Sequence, residues 1–452
     1  MSAPNADAEH ESGWLMGAVT RRRLGRSEQL GAAMRGLATT TPGRLGIVAI
    51  VLVLVAVCFG AVAASAVRSR AQAASAVRNQ TEPLLGQAVT LYTSLSGANA
   101  TTTTTFLKGG LEPAARHAQY LLDLRQASDA LAALGREVGT SPQAAAAVTT
   151  ITESLPVYTG LVESARANNR QGFPVGAAYL RRASVLLDGT ILQAADHLYA
   201  IEARRLSNGY SAGTSRGALV VLALVALLAL VGLLVAQRYL TRISRRILNV
   251  PLVVATLLLV VVSVWAVIGL VDEERSLNSA RGGSDAVEVL SATNVLLSRA
   301  QSDQSLTLVN RGSDEIDPLD FRVVMQALGG SAGLISEAQA LTRQNGSPAA
   351  ADRLGSEFAA YRSQTGRVGA LQARGLTYAA IQAATSPAAT AGIDRLSAPL
   401  AAQTKAAQRR FVGEAASATG ALAGLTISIA VVALLVAALA VIGLRRRLQE
   451  YR

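Results

Sequence analysis

Four windows without a charged side chain decide what this chain can become. Between Arg44 and Arg68 lie 23 uncharged residues, between Arg216 and Arg238 lie 21, and between Arg246 and Asp272 lie 25. A further 30 separate Glu414 from Arg445, apolar from about Ala421 onward. About 20 apolar residues in a helix cross the ~30 Å of bilayer hydrocarbon. A helix also satisfies its own backbone there, where water cannot. All four windows therefore predict transmembrane helices. Composition agrees: half of the residues are apolar and 16% are charged, against about 25% charged in an average soluble chain. Ala61–Ala63 mimics a signal-peptidase site, but the long segment before the first window predicts an uncleaved anchor. Cys58, the single cysteine, reads as an ordinary apolar span residue. It excludes an intramolecular disulfide and a cysteine-rich metal site.

Arginine placement sets the expected orientation. The link between the second and third windows carries Arg238, Arg242, Arg245 and Arg246 and no acid. Together with both terminal segments it holds 14 arginines against 5 acidic residues, whereas the two large regions hold 28 basic and 25 acidic residues. The expected layout is a multi-pass protein of the bacterial cell membrane with both termini cytoplasmic. It comprises a cytoplasmic segment 1–44, a span 45–67, an extracytoplasmic region 68–216 and a span 217–237. The cytoplasmic link 238–246 and a span 247–271 follow. A second extracytoplasmic region 272–419, a span 420–444 and a cytoplasmic tail 445–452 complete it. The net charge of +12 comes almost wholly from arginine, since Lys108 and Lys405 are the only lysines. That bias looks like GC-rich coding rather than nucleic-acid binding.

The two halves repeat each other. LSGANATTTTTFLKGG (95–110) aligns with LSRAQSDQSLTLVNRG (297–312) at an offset of 202. Ser141-Pro142 matches Ser347-Pro348, Tyr158 matches Tyr361, Gly172 matches Gly375, and Arg204-Arg205 matches Arg409-Arg410, at offsets of 203 to 206. Near-constant spacing predicts a duplicated span–region–span module. Glycine and proline breakers cut the first large region into four helical stretches and the second at Gly312–Pro318, Asn345–Pro348, Gly375 and Ser386-Pro387. Leu180, Leu187, Ile191, Ala194, Leu198 and Ile201 follow the 3/4 spacing of a bundle seam. No comparable run alternates with period two. The predicted fold is an all-α membrane protein with four transmembrane helices and two extracytoplasmic antiparallel four-helix bundles from an internal duplication. The first and last helix of each bundle should continue into the membrane.

The inward stripe of each bundle's first helix turns polar at one level, giving Asn99 and Thr102 in the first half and Gln301 and Gln304 in the second. A polar layer that fixes register is the plainer reading, and a ligand pocket or switchable layer is the alternative. Thr101–Thr105 reads as drift on a helix rather than a hydroxyl-lined site. The arginine pairs at 181–182, 204–205 and 409–410 suit carboxylates or lipid headgroups. Asp196-His197 resembles half a catalytic pair without a nucleophile, so no catalytic residue, metal ligand or cofactor is expected and the chain reads as no enzyme. The spans carry no Asp, Glu, Lys, Arg or His, which argues against a proton-coupled carrier. Gly420 and Gly424 form a small-xxx-small pair. In the N-terminal segment Leu30, Met34 and Leu37, with Trp14 and Arg21–Arg23, suggest an amphipathic helix on the inner leaflet. Arg238, Arg242, Arg245 and Arg246 are the candidate contacts for a cytoplasmic partner or for lipid.

The large regions resemble the four-helix-bundle sensor domains of bacterial chemoreceptors and sensor kinases. The repeated LS-x-A segments, the Ser-Pro breaks and the arginine pairs sit in a whole-chain layout with its own resemblance. It is similar to the actinobacterial four-span signalling proteins that link an extracytoplasmic glutamine-binding-type lipoprotein to Ser/Thr protein kinase G. The resemblance implies a relay of external amino-acid status, with a solute-binding lipoprotein outside and a protein kinase inside as partners. Two other readings stay open. One is a permease-like subunit coupling a cytoplasmic ATPase to envelope machinery, for which residues 27–38 are the only coupling candidate. The other is an envelope scaffold.

Overall fold

The computed structural model describes residues 41–110, 112–137, 141–213, 216–244, 249–310, 318–344, 347–422 and 424–449. Among them there is no strand. Four helical stretches are long and apolar enough to cross a bilayer, containing Gly46–Lys108, Val220–Arg242, Val250–Val309 and Leu425–Gly443. The chain is an all-α membrane protein. The amphipathic segment around Leu30, Met34 and Leu37 lies outside the described residues, as do Arg245 and Arg246.

Helix α1 (Thr41–Ala76) runs through a π turn (Val77–Thr81) straight into α2 (Glu82–Lys108). Next come α3 (Ala114–Glu137), α4 (Pro142–Arg170) and α5 (Val175–Leu186), then a second π turn (Leu187–Ile191) that leads into α6 (Leu192–Gly213). Helix α7 (Arg216–Ser244) precedes α8 (Val250–Val309), which is unbroken over 60 residues. The second half continues with α9 (Pro318–Gly329), α10 (Leu334–Gln344), α11 (Pro348–Ala373), α12 (Thr377–Ala384), α13 (Pro387–Leu422) and α14 (Leu425–Gln449).

Local chemistry sets these boundaries. Ser141 caps α4 by accepting the Ala144 amide at 3.3 Å, with Pro142 in the first turn where its missing N–H is harmless. Gly172 and Gly375, at φ +73° and +74°, follow α4 and α11 in the left-handed conformation that glycine adopts without strain. Helix α12 stops before Ser386-Pro387 and α13 starts at Pro387. A further break, between α9 and α10 at Gly329, Gly330 and Gly333, was not anticipated although three glycines mark it. The expected unbroken last helix is also corrected. Helix α13 ends at Leu422, and Gly424 (φ +80°) precedes the restart at Leu425. Gly424 thus lies in the chain break between α13 and α14.

The apolar unit combines the described residues among 41–69, 216–271 and 421–449. Leu52, Phe59, Leu233, Leu259, Ile429 and Val436 are buried in its interior. Ile50, Leu54, Leu224, Leu257, Ile427 and Leu434 are exposed, an outward apolar face that suits lipid. A side chain at Gly60 would collide with the Ala433 methyl, so α1 and α14 touch through small residues. Several polar groups are satisfied internally. The Gln237 amide donates to the Leu252 carbonyl at 3.0 Å and to Thr256 Oγ1 at 2.7 Å, and Asn249 donates to the Gly443 carbonyl at 3.1 Å.

The second unit holds the described residues among 70–214 and 272–420. Helices α2, α3, α4 and the α5–α6 rod form one bundle, with Leu91, Leu95, Tyr120, Ile151, Tyr158 and Leu198 in its core. The C-terminal part of α8 shares a second core with α9, α10, α11 and α13, containing Leu290, Leu297, Leu328, Phe358, Tyr361 and Leu396. The bundles are joined. Val89 of α2 belongs to the second core, Leu107 packs with Leu308 and Val368, and Val77 and Tyr210 pack with Leu277 and Phe411. The sequence seam along the α5–α6 rod slips: Ala195 is buried where Ala194 and Ile201 are only half-buried. The π turn explains this, because it adds a residue and advances the helix phase.

Two buried ionisable features give tests. Arg70 Nη1 meets Glu273 Oε2 at 3.2 Å with side chains 2% and 0% exposed. Removing one member of such a pair strands a buried charge and costs about 3–5 kcal/mol, while replacing both is close to neutral. Arg70→Met should therefore lower the melting temperature of the purified protein sharply, and Arg70→Met/Glu273→Leu should restore most of it. Asp123 is buried on α3, accepts from Gln119 at 2.8 Å, and has its pKa pushed up to about 6 by burial. An unfolded aspartate releases its proton near pH ~4. Between about pH 4 and 6 the folded state therefore binds more protons, and stability falls as pH rises. Thermal melts across that range should lose this component of the slope in Asp123→Asn, which should also melt higher at neutral pH.

Candidate functional site

Helices α2 and α8 run parallel. Asn99 pairs with Ser302, 203 residues apart, and Thr104 approaches Ser305, 201 apart; Arg70 at the end of α1 pairs with Glu273 of α8, also 203 apart. Between the two helices lies a buried polar seam. Asn99, 3% exposed, is its hub: Nδ2 donates to Ser302 Oγ at 3.0 Å and Oδ1 accepts from Ser184 Oγ at 3.1 Å. One side chain thereby ties α2 to α8 and to α5. Gln301 Nε2 donates to Thr104 Oγ1 at 3.0 Å, and Arg181 Nη1 donates to Asn310 Oδ1 at 3.3 Å. The threonine run satisfies itself: Thr102, Thr103 and Thr104 donate to carbonyls four residues back, at 2.7–3.0 Å.

The expected polar layer is thus rearranged. Asn99 and Thr102 are buried as read, but Gln301 and Gln304 are half-buried, and Ser302 and Ser305 take the buried positions. The physical reason is register. An alignment offset of 202 faces Asn99 with Gln301, whereas the helices pair at 203, and one residue of slip turns a helix by about 100°. Arg238 and Arg242 are exposed on α7.

Beside Asn99 the seam opens into a cavity of about 370 Å³. Its floor is Ser96, Asn99 and Ser302, and Leu192, Val295 and Leu296 supply apolar wall. Tyr92, Asp188, Asp196, His197 and Arg299 also line it. Asp188 belongs to the π turn Leu187–Ile191, and π turns in α-helices recur at functional sites. Burial pushes the Tyr92 hydroxyl above its usual pKa; Asp196 and Asp188 add to the shift and Arg299 opposes it. Three charges from α6, the π turn and α8 therefore act on one phenol. Ser96 is 5% exposed, and its hydroxyl has no hydrogen-bond partner in the protein.

A second cavity, about 240 Å³, lies among Phe106, Glu112, His117 and Arg166. Its charges are consumed locally. Arg166 binds Glu163 at 2.7 Å and Glu112 at 3.3 Å and stacks 4.0 Å over the Tyr120 ring, so this cluster braces α3 against α4. Among the described residues no group of three or more acidic, histidine or cysteine side chains is placed to hold a metal. Sequence reasoning found Asp196 and His197 as neighbours but missed Asp188, Arg299 and Ser96. No local motif links three segments so far apart.

Residues 73–211 match the family described as an actinobacterial sensor domain. That stretch begins just before the first π turn and ends within α6, covering the first bundle. It supports a sensing or signalling role for the protein. No curated protein matches the chain.

The hub makes a specific prediction. Asn99→Ala leaves Ser302 and Ser184 without their shared partner, and stranded buried polar groups cost about 1–3 kcal/mol. Gln304→Ala removes a half-buried side chain and should stay within about 0.5 kcal/mol of the parent. Thermal or denaturant unfolding of both variants distinguishes the hub from its neighbour.

Proposed function

We propose that the chain is a membrane signal relay that reports external amino-acid status to a separate cytoplasmic effector, without catalysis of its own. The observation that carries this reading is the α2–α8 seam. Serines 298, 302 and 305 recur on α8 at helical spacing, so Asn99 has alternative partners one turn away. A one-turn shift of about 5.4 Å exchanges one satisfied register for another. Apolar packing alone would let the helices drift, whereas a buried amide settles only where it finds a partner. The alanine-rich cores keep the opposition small, since each buried CH₂ contributes only about 0.8 kcal/mol.

The duplication belongs to the same reading. Tyr158 and Tyr361 are both buried in their own bundle cores, and Gly172 and Gly375 both end the third rod at positive φ. Pairs 203 residues apart meet across the seam. Two copies of one module joined around an approximate two-fold axis would put equivalent residues face to face in this way. In this reading the bundles are extracytoplasmic, both termini are cytoplasmic, and Arg238 and Arg242 with the neighbouring arginines face lipid or the effector. An external solute-binding lipoprotein and a cytoplasmic Ser/Thr kinase are the proposed partners, as the resemblance implies.

Deleting the gene should uncouple phosphorylation of the kinase's substrates from external amino acids, and the full-length chain should restore the coupling. Phosphorylation that still follows external amino acids in the deletion strain would overturn the relay.

A further inference from the structure

We propose that two matched helix turns, 171–174 and 374–376, are docking corners for a protein whose surface sets carboxylates among apolar side chains. The proposal rests on the relay reading above and assigns where its external protein partner binds. Helices α4 and α11 close in the same way. The Phe173 amide donates to the Asn168 carbonyl at 2.9 Å and the Gly172 amide to the Asn169 carbonyl at 3.1 Å. The Leu376 amide donates to the Leu371 carbonyl at 3.0 Å and the Gly375 amide to the Gln372 carbonyl at 2.9 Å. In such a cap the apolar residue after the glycine commonly packs back onto the helix it closes. The receiving position in α4 is the polar Asn168, and in α11 it is Leu371, which packs against the Leu107–Leu308 cluster. Phe173 therefore stays 53% exposed and Leu376 50%.

Two residues further on, Val175 is exposed and Tyr378 is 75% exposed. Single apolar side chains scattered over a surface are ordinary. An apolar pair that stands out of the same cap twice, 203 residues apart, is not scatter, and apolar surface left in water favours association. Tyr179 and Val185 continue the first corner along α5. Both corners lie at one end of the helical unit. Leu180 of α5 packs with Leu306 of α8 and Phe106 of α2, and Leu107 of α2 packs with Ala380 of α12. Each corner thus sits beside the closing turns of α2 and α8, at the far end of α4 or α11 from the Ser141 and Ser347 turns.

Charge names the partner's chemistry. Arg170 and Arg374 stand at the two caps, and Arg182 stands between Tyr179 and Val185; all three are exposed. Among the described residues none of these three side chains has an ion-pair or hydrogen-bond partner. Glu163, the exposed acid two turns back on α4, is held by Arg166 at 2.7 Å. A cation near a helix C-terminus is ordinary. Unengaged guanidinium groups beside Phe, Tyr and aliphatic side chains have instead the composition of a protein-interface core. A second copy of this chain would set arginine against arginine, which opposes pairing. A protein surface that mixes apolar side chains with Asp and Glu meets both demands.

The test uses the full-length chain in its own membrane, with the photo-crosslinking residue p-benzoylphenylalanine in place of Phe173 or of Leu376. Gln143 and Ala349, each exposed just after a Ser-Pro turn at the other end, are the control positions. One and the same protein, identified by mass spectrometry and different from this chain, should form adducts at both corners and at neither control. Purified, it should bind the full-length chain in lipid nanodiscs. Phe173→Asp/Leu376→Asp and Arg170→Glu/Arg374→Glu should each weaken that binding by about tenfold or more. Salt at about 0.5 M should weaken it as well, because exposed charges are screened. Helical content and melting of both double variants should stay close to the parent's. No adduct at the corners, adducts only with lipid or with a second copy, equal adducts at the controls, or binding indifferent to salt or to either double variant would overturn the proposal. Deletion of the gene tests the relay separately. A corner partner for a chain whose deletion leaves amino-acid coupling intact keeps the docking surface and overturns the relay. Coupling that needs the chain while the corners yield no adduct keeps the relay and overturns the docking surface.

Discussion

A carboxamide buried between two parallel helices must find its partners on the helices packed around it. Asn99 is held by Ser302 on one side and Ser184 on the other. The rest of the helical unit is arranged around that requirement. In a low-dielectric interior, satisfied polar contacts define discrete positions and unsatisfied ones are excluded. Alanine-rich packing around the seam is permissive by comparison, because small side chains interlock weakly. Register along α2 and α8 is therefore written in hydrogen bonds, and apolar burial supplies cohesion without much positional choice.

The other features follow from the need to bring polar groups to that seam. The π turn Leu187–Ile191 includes Asp188, which lines the cavity, and it shifts the core phase of the rod behind it. The Arg70–Glu273 pair, between α1 and α8, repeats the seam's logic 29 residues earlier in each half, with full charges in place of an amide and a hydroxyl. Away from the seam the structure is conventional. Apolar clusters close each bundle, and the Arg166 network braces α3 against α4.

The fold was legible wherever one physical demand acts on a contiguous stretch. Hydrocarbon demands uninterrupted apolar helices, and four charge-free windows announced them. Helix ends demand caps and left-handed residues, and Ser141-Pro142, Gly172 and Gly375 supplied them. Asn99 and Thr102 were readable as core-facing from periodicity. Their partners were not, because the similarity between halves is too weak to fix an offset to one residue, and one residue turns Gln301 away from the hub and Ser302 toward it. The cavity was hidden for a different reason. Its charges come from a π turn, from α6 and from the middle of a 60-residue helix, and only folding brings them together. Asp196-His197 looked like a fragment of a catalytic pair for want of that context. The break at Gly424 was not legible because a glycine that packs helices and a glycine that ends one are identical in sequence.

The central claim is that α2 and α8 occupy alternative registers set by Asn99. Disulfide trapping in membranes tests it most directly, with Cys58 replaced by serine, Asn99 left in place, and cysteine pairs at 104/305 and 104/308. The account predicts that the 104/305 pair closes efficiently in one signalling condition, and that changing the external amino-acid supply moves yield from that pair to the neighbouring one. Equal yields from both pairs under every condition, or a 104/305 bond that leaves signalling fully responsive, would contradict it.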